Sequence, residues 1–149
     1  MLVYKIKERN SLLIDKLVEI WENSVRVTHL FLTEVEVLRI KEYVPQALLD
    51  VPILLVAENT TGKIIAFMEV ADKKIEMLFV EPAERLKGVG RMLIEYGSSL
   101  YKINEVTVNE QNTQAIGFYK HLGFSTYKRT DMDEEGKPYP LLYMRIEKS

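Results

Sequence analysis

The chain has 149 residues and a mass of 17.3 kDa, which fits a single domain, residues 1–149, built on one core. Its 20 Lys+Arg against 22 Asp+Glu leave a net charge of −2. That balance argues against affinity built on neutralising many phosphates, so no nucleic-acid partner is expected. There are no cysteines and only two histidines, His29 and His121, which excludes disulfides, thiolate metal sites and cysteine nucleophiles and leaves no metal-ligand spacing.

In chain order, residues 2–7 alternate and predict a strand. Asn10 or Ser11 caps a helix carrying Leu13, Leu17, Ile20 and Trp21 at helical spacing. Thr33 with Glu36 is a capping box that opens a second helix through Val37, Leu38, Val44 and Leu48. The period then changes. Residues 53–58, 64–71 and 75–80 predict three strands joined by the turns at 60–63 and 72–74, an antiparallel meander ended by Glu81-Pro82.

Residues 88–101 predict a helix whose apolar face holds Val89, Met92, Leu93, Tyr96 and Leu100, followed by a short strand at 105–109. Asn112 caps a further helix to Leu122, and Gly123 suits the residue after its end. Residues 124–130 and 140–146 predict the last two strands around a polar connection. The order β-α-α-β-β-β-α-β-α-β-β predicts an α/β fold, a mixed, mostly antiparallel sheet flanked by about four helices. The longest apolar run, residues 53–57, is far short of the ~20 residues of a membrane span. The N-terminus shows no signal-peptide pattern, so no membrane partner and a cytoplasmic location are expected.

The most informative stretch joins a strand to a helix. After residues 75–80 come Arg85, Leu86, Lys87, Gly88, Val89, Gly90 and Arg91, with three cations inside seven residues. The first turn of a helix offers free N–H groups and a partial positive charge, and glycines admit a ligand to the backbone. The combination suits a di-anion such as a pyrophosphate; a solvated basic turn is the plainer alternative. A dinucleotide fingerprint is excluded because the third glycine is missing, and a P-loop is excluded because no Gly-x-x-x-x-Gly-Lys-[Ser/Thr] occurs.

Arg85-Leu86-Lys87-Gly88-Val89-Gly90 resembles the Arg-x-x-Gly-x-Gly signature of the GNAT superfamily of acyl-CoA-dependent N-acetyltransferases. The run from Asn112 through Ala115, Phe118 and Tyr119 to Gly123-Phe124 is similar to the family's Asn-x-x-Ala-x-x-Phe-Tyr-x-x-x-Gly-Phe motif at every marked position. Thr28-His29-x-Phe31-Leu32, the 109–112 run and residues 136–142 resemble the bacterial YjaB-type branch.

The resemblance implies direct acetyl transfer from acetyl-CoA to an amine acceptor, with no metal. It assigns the pantetheine and oxyanion contacts to the strand Leu78-Phe79-Val80, and the pyrophosphate to Arg85 through Arg91. Asn112, Ala115 and Tyr119 share a helix face, which makes Tyr119 the candidate acid and Asn112 a candidate cofactor contact, although helix capping explains Asn112 equally well. Glu76, Glu69 and His29 are the alternative proton acceptors, and His121 reads as a cation at a helix C-terminus.

The acceptor pocket is expected between residues 21–31 and the 131–142 connection. Trp21, Phe31, Tyr139 and Tyr143 would supply aromatic surface there, and Asp131, Asp133 and Glu134 negative charge. A non-catalytic acyl-CoA-binding module is the alternative function, and the tyrosine at 119 weighs against it. A monomer and a homodimer are both compatible with the sequence.

Overall fold

The computed structural model describes residues 1–147. β1 (Leu2–Lys5) leads into helices α1 (Ser11–Thr28), α2 (Glu34–Lys41) and α3 (Val44–Asp50). The meander follows as β2 (Ile53–Glu58), β3 (Ile64–Ala71) and β4 (Lys74–Val80), then a 3-10 turn at Pro82–Glu84. The chain continues through α4 (Val89–Tyr101), β5 (Glu105–Asn109), α5 (Thr113–His121), β6 (Ser125–Thr130) and β7 (Leu141–Arg145). One seven-stranded sheet runs in the order β1-β2-β3-β4-β5-β7-β6. All its pairings are antiparallel except β4 with β5.

The caps are those the sequence announces. Asn10 Oδ1 accepts from the Leu13 N–H at 2.9 Å, Thr33 and Glu36 form the reciprocal capping box, and Gly123 follows α5 at φ +101°. One expectation fails: the helix through Leu48 is two helices, broken at Glu42–Tyr43. Pro45 has no N–H and its ring clashes with the carbonyl four residues back, so it sits in the first turn of a new helix instead.

The sheet has a core on each face. On one, α1 and α3 bury Leu17, Ile20, Trp21 and Leu48 against Leu54, Val56 and Phe67. On the other, α4 buries Leu93 and Ile94 against Leu55, Met68 and Ile103. Gly97 sets how closely α4 approaches: a Cβ there would lie 2.6 Å from Ile103 Cδ1 and 2.9 Å from Met68 Cε. Two local irregularities prepare the site. Met77 pairs with Glu69 and Ile75 with Val70, which leaves Glu76 as the extra residue of a β-bulge. β4 and β5 pair only at Lys74–Glu105 and Ile75–Val106, and beyond these the strands diverge.

Candidate active site

The divergence opens a cleft of about 790 Å³, the size of a small-molecule site. Its floor is the free edge of β4. Glu81 N–H donates to the Ile65 carbonyl at 2.8 Å, continuing the β3–β4 ladder. By strand alternation, the N–H groups of Leu78 and Val80 therefore point to the opposite, unpaired edge. Leu78, Phe79 and Val80 all line the cleft. An extended chain bearing amides can pair with that edge as an added strand does, and the same N–H groups can stabilise an oxyanion.

The loop after β4 forms one end. Leu86 at φ +65° and Gly88 at φ +81° are both left-handed, a backbone form that turns successive N–H groups inward to make an anion-binding concavity. A Cβ on Gly88 would meet nothing within 4 Å. Gly90 serves packing: its Cβ would lie 3.2 Å from Phe118 Cζ, so glycine lets α5 close against α4. Leu86, Gly88, Val89, Gly90 and Arg91 line the cleft.

The three cations differ. Lys87 lies outside the cleft lining and pairs with Glu84 at 3.3 Å, while Arg91 pairs with Glu95 at 2.8 Å along α4. Arg85 alone of the three has no carboxylate partner among the described residues; it donates to Gln114 Oε1 at the start of α5 and so spans the mouth of the cleft. Arg85 is thus the cation left to meet an anion.

α5 forms the opposite wall. Asn112 Oδ1 accepts from the Ala115 N–H at 3.2 Å, so its side chain caps the helix while also lining the cleft. Tyr119 is 6% exposed, lines the cleft, and sits edge-on to Phe118 and Phe124 with centroids at 5.2 and 5.6 Å. Burial pushes its phenol well above the ordinary range, which favours the protonated form, a group able to donate a hydrogen bond. His121 also lines the cleft, beyond the dipole role its position suggests.

His29, the residue that ends α1, also lines the cleft. Burial pushes its imidazole down to about 4. Desolvation outweighs the dipole of the helix C-terminus, a favourable effect of roughly 0.3–1 kcal/mol for a cation. The ring is neutral at pH 7, a proton acceptor but a weak one. From it an aromatic strip runs outward: His29 to Phe31 at 5.4 Å, then Phe31 to Tyr139 at 5.8 Å. Phe79 lies 6.2 Å from His29 on the inner side. The strip ends where the Tyr139 hydroxyl donates to the Glu36 carboxylate.

Several expected residues are placed elsewhere. Trp21 is buried in the α1 core at 3% exposure. Tyr143 is held between Lys128, 4.8 Å from its centroid, and Lys74 at 5.6 Å. Asp131 pairs with Arg129 at 2.6 Å, and Asp133 Oδ1 accepts from the Glu135 and Lys137 N–H groups, which shapes the hairpin. Glu76, the extra residue of the bulge, is exposed and absent from the cleft lining. Glu69 is 3% exposed in the sheet; burial, then repulsion from Glu76, pushes it up to about 7. Gln114 and Ser24 line the cleft without any local sign in the sequence, and Glu36, legible as a helix cap, gives no sign there of its contact with Tyr139 across the fold.

The architecture and site have known counterparts. Residues 51–126 match the acetyltransferase (GNAT) domain. The chain is 41% identical over 128 residues to the peptidyl-lysine N-acetyltransferase YjaB of Salmonella typhimurium LT2, covering 86% of this chain and 88% of that protein. The Escherichia coli K12 protein of the same name is 41% identical, with 86% of each covered. The solution structure of apo-form YjaB from Escherichia coli superposes with a TM-score of 0.87 at 36% identity over the whole of both chains. PaiA N-acetyltransferase from Thermoplasma acidophilum, in complex with coenzyme A, shares the fold with a TM-score of 0.72 at 20% identity, covering 99% of this chain and 100% of that one. An unpaired strand edge, a loop with left-handed Leu86 and Gly88 and a buried tyrosine lining one cleft, together with these likenesses, place the chain in the GNAT family of acetyltransferases, which transfer an acetyl group from acetyl-CoA to an amine.

Proposed function

We propose that this enzyme acetylates the ε-amine of lysine in polypeptides, with Tyr119 and His29 handling the protons. The observation that carries the substrate is the 41% identity, over most of both chains, to proteins named peptidyl-lysine N-acetyltransferase. The outer strip of Phe31 and Tyr139 beside Glu36 agrees with it, since aromatic faces and a carboxylate favour a cationic amine on an alkyl stem.

Acetyl-CoA lies along the free edge of β4, its pyrophosphate at the Leu86–Gly90 loop and Arg85. The amine nitrogen attacks the thioester carbon, and the oxyanion that forms is held by backbone N–H groups of β4. His29 Nε2 takes the proton leaving the attacking nitrogen. The carbon–sulfur bond then breaks and the Tyr119 O–H gives its proton to the departing sulfur; His29 releases its proton to solvent and Tyr119 regains one from it, so the products are the amide and coenzyme A thiol with both residues restored. His29, rather than Glu76, accepts the proton because His29 lines the cleft and Glu76 does not.

Mass spectrometry of a lysine peptide and of small amines incubated with acetyl-CoA tests the reading. Peptide acetylation, with Tyr119→Phe at least about tenfold slower and acetyl-CoA affinity little changed, is the expected result. Acetylation of small amines alone overturns the substrate, and acetyl-CoA binding without turnover of any amine makes the chain a binding module.

A further inference from the structure

The hydroxyl of Thr28, the last residue of α1, makes two contacts. It donates to the Ser24 carbonyl at 2.8 Å and lies 2.7 Å from Nδ1 of His29. A hydroxyl carries one hydrogen. With that hydrogen directed to Ser24, the second contact is a hydrogen bond when Nδ1 carries the proton and donates to Thr28; the opposite tautomer requires the hydroxyl to turn from Ser24 to Nδ1. A neutral imidazole protonated at Nδ1 has its free lone pair on Nε2, the nitrogen on the side of the ring away from Thr28.

The rest of the residue is held as firmly. His29 N–H donates to the Val25 carbonyl at 2.8 Å, and its own carbonyl accepts from Leu32 N–H at 3.0 Å. The ring is packed against Phe31 and Phe79. No carboxylate is hydrogen-bonded to the ring among the described residues, so the hydroxyl alone selects the tautomer.

We infer that Thr28 is a positioning residue, which locks the neutral His29 ring as the Nδ1–H tautomer and so leaves Nε2 in the cleft wall as a proton acceptor. The opposite tautomer would present an N–H there, and the ring could then neither orient the amine lone pair nor take its proton. The inference rests on the proposed role of His29.

The test pairs Thr28→Val, which keeps the shape and removes the hydroxyl, with Thr28→Ser, which restores it. Nitrogen-15 NMR of the imidazole reads the tautomer directly. The chain has only two histidines, so the spectrum of His121→Asn assigns the signals. The expected result is Nδ1–H in the wild type and Thr28→Ser, a mixture in Thr28→Val, and kcat lowered roughly threefold to tenfold in Thr28→Val alone with the acetyl-CoA KM unchanged. An Nε2–H ring in the wild type, or a changed tautomer with unchanged kcat, overturns the inference. His29→Gln separates the two readings: full activity in that variant removes His29 from the chemistry, whatever tautomer the NMR reports.

Discussion

Tyr139, in the connection between β6 and β7, donates its hydroxyl to the carboxylate of Glu36 in α2, joining residues 103 positions apart in the chain. Glu36 is already the second half of the α2 capping box, accepting from the Thr33 N–H at 3.0 Å. One carboxylate thus fixes the start of a helix and ties the hairpin to it. Phe31 packs against Tyr139 and against His29 of the cleft wall, while Phe31, Tyr139 and Glu36, expected around the acceptor, do not themselves line the cleft.

Tyr139→Phe removes the tie and keeps the ring. The amine-acceptor KM is expected to rise roughly threefold to tenfold, the range of one net hydrogen bond, while acetyl-CoA affinity stays constant. Steady-state kinetics with each substrate varied in turn checks this, and a loss confined to acetyl-CoA would assign Tyr139 to the other end of the site.

Glu69 carries a pH signature. Its carboxyl is raised to about 7 in the fold, so the folded state binds the proton more tightly than the unfolded chain. The stabilisation this provides is fully present below the unfolded value near 4.5 and is lost as pH rises through about 7. Glu69→Gln, which cannot ionise, is expected to gain roughly 2 kcal/mol on the wild type between pH 5 and pH 8. Burial of His29 acts in the opposite direction, giving stability above about 6.5 that falls away as pH drops through about 4, but it is common to both proteins and cancels. Urea unfolding at the two pH values measures the difference, and equal stabilities at both would show that Glu69 ionises as an exposed carboxylate does.

The anion loop separates backbone from side chain. Leu86 holds a left-handed backbone with its side chain fully exposed, so Leu86→Gly removes strain and no packing. Its acetyl-CoA Kd is expected within about threefold of wild type, the anion being held through N–H groups. Gly88→Ala forces an L side chain into the same conformation at a cost of about 1–2 kcal/mol, with weaker acetyl-CoA binding. Thermal-shift titration reads both effects, because ligand in excess raises Tm by an amount that grows with the logarithm of its concentration over Kd. A tenfold loss in Leu86→Gly would move the contact to the side chain.

Much of this was legible in the chain itself. Asn10, the Thr33–Glu36 box, Asn112 and Gly123 act within a few residues of themselves, so their spacing reports their role directly. The glycine-rich loop and the Asn112–Phe124 run are local for the same reason, and both line the cleft they were read to build. The break at Pro45 was also written in the sequence; the apolar spacing through Leu48 masked it, because that spacing continues across the break.

Other residues gave no local sign. Gly90 reads as a concession to a ligand until Phe118 is seen against it. Tyr143 and Tyr139 have the same chemistry and lie four positions apart, yet two lysines hold one and Glu36 the other. Glu76 and Glu69 look alike as strand carboxylates, yet in the fold one is exposed, the other is buried, and neither lines the cleft.

The sequence by itself determined most element types, their caps, the glycine-bearing loop after β4 and the family, because propensities, turn chemistry and motifs operate over a few residues. The tertiary structure decided the divergence of β4 from β5, the carboxylate partners of Lys87 and Arg91 that Arg85 lacks among the described residues, the burial of His29 and Tyr119, and the Thr28 hydroxyl placed against the ring. Hydrogen-bond partners and desolvation depend on distances between groups far apart in the chain, and those distances exist only after the sheet has formed and the helices have closed on it.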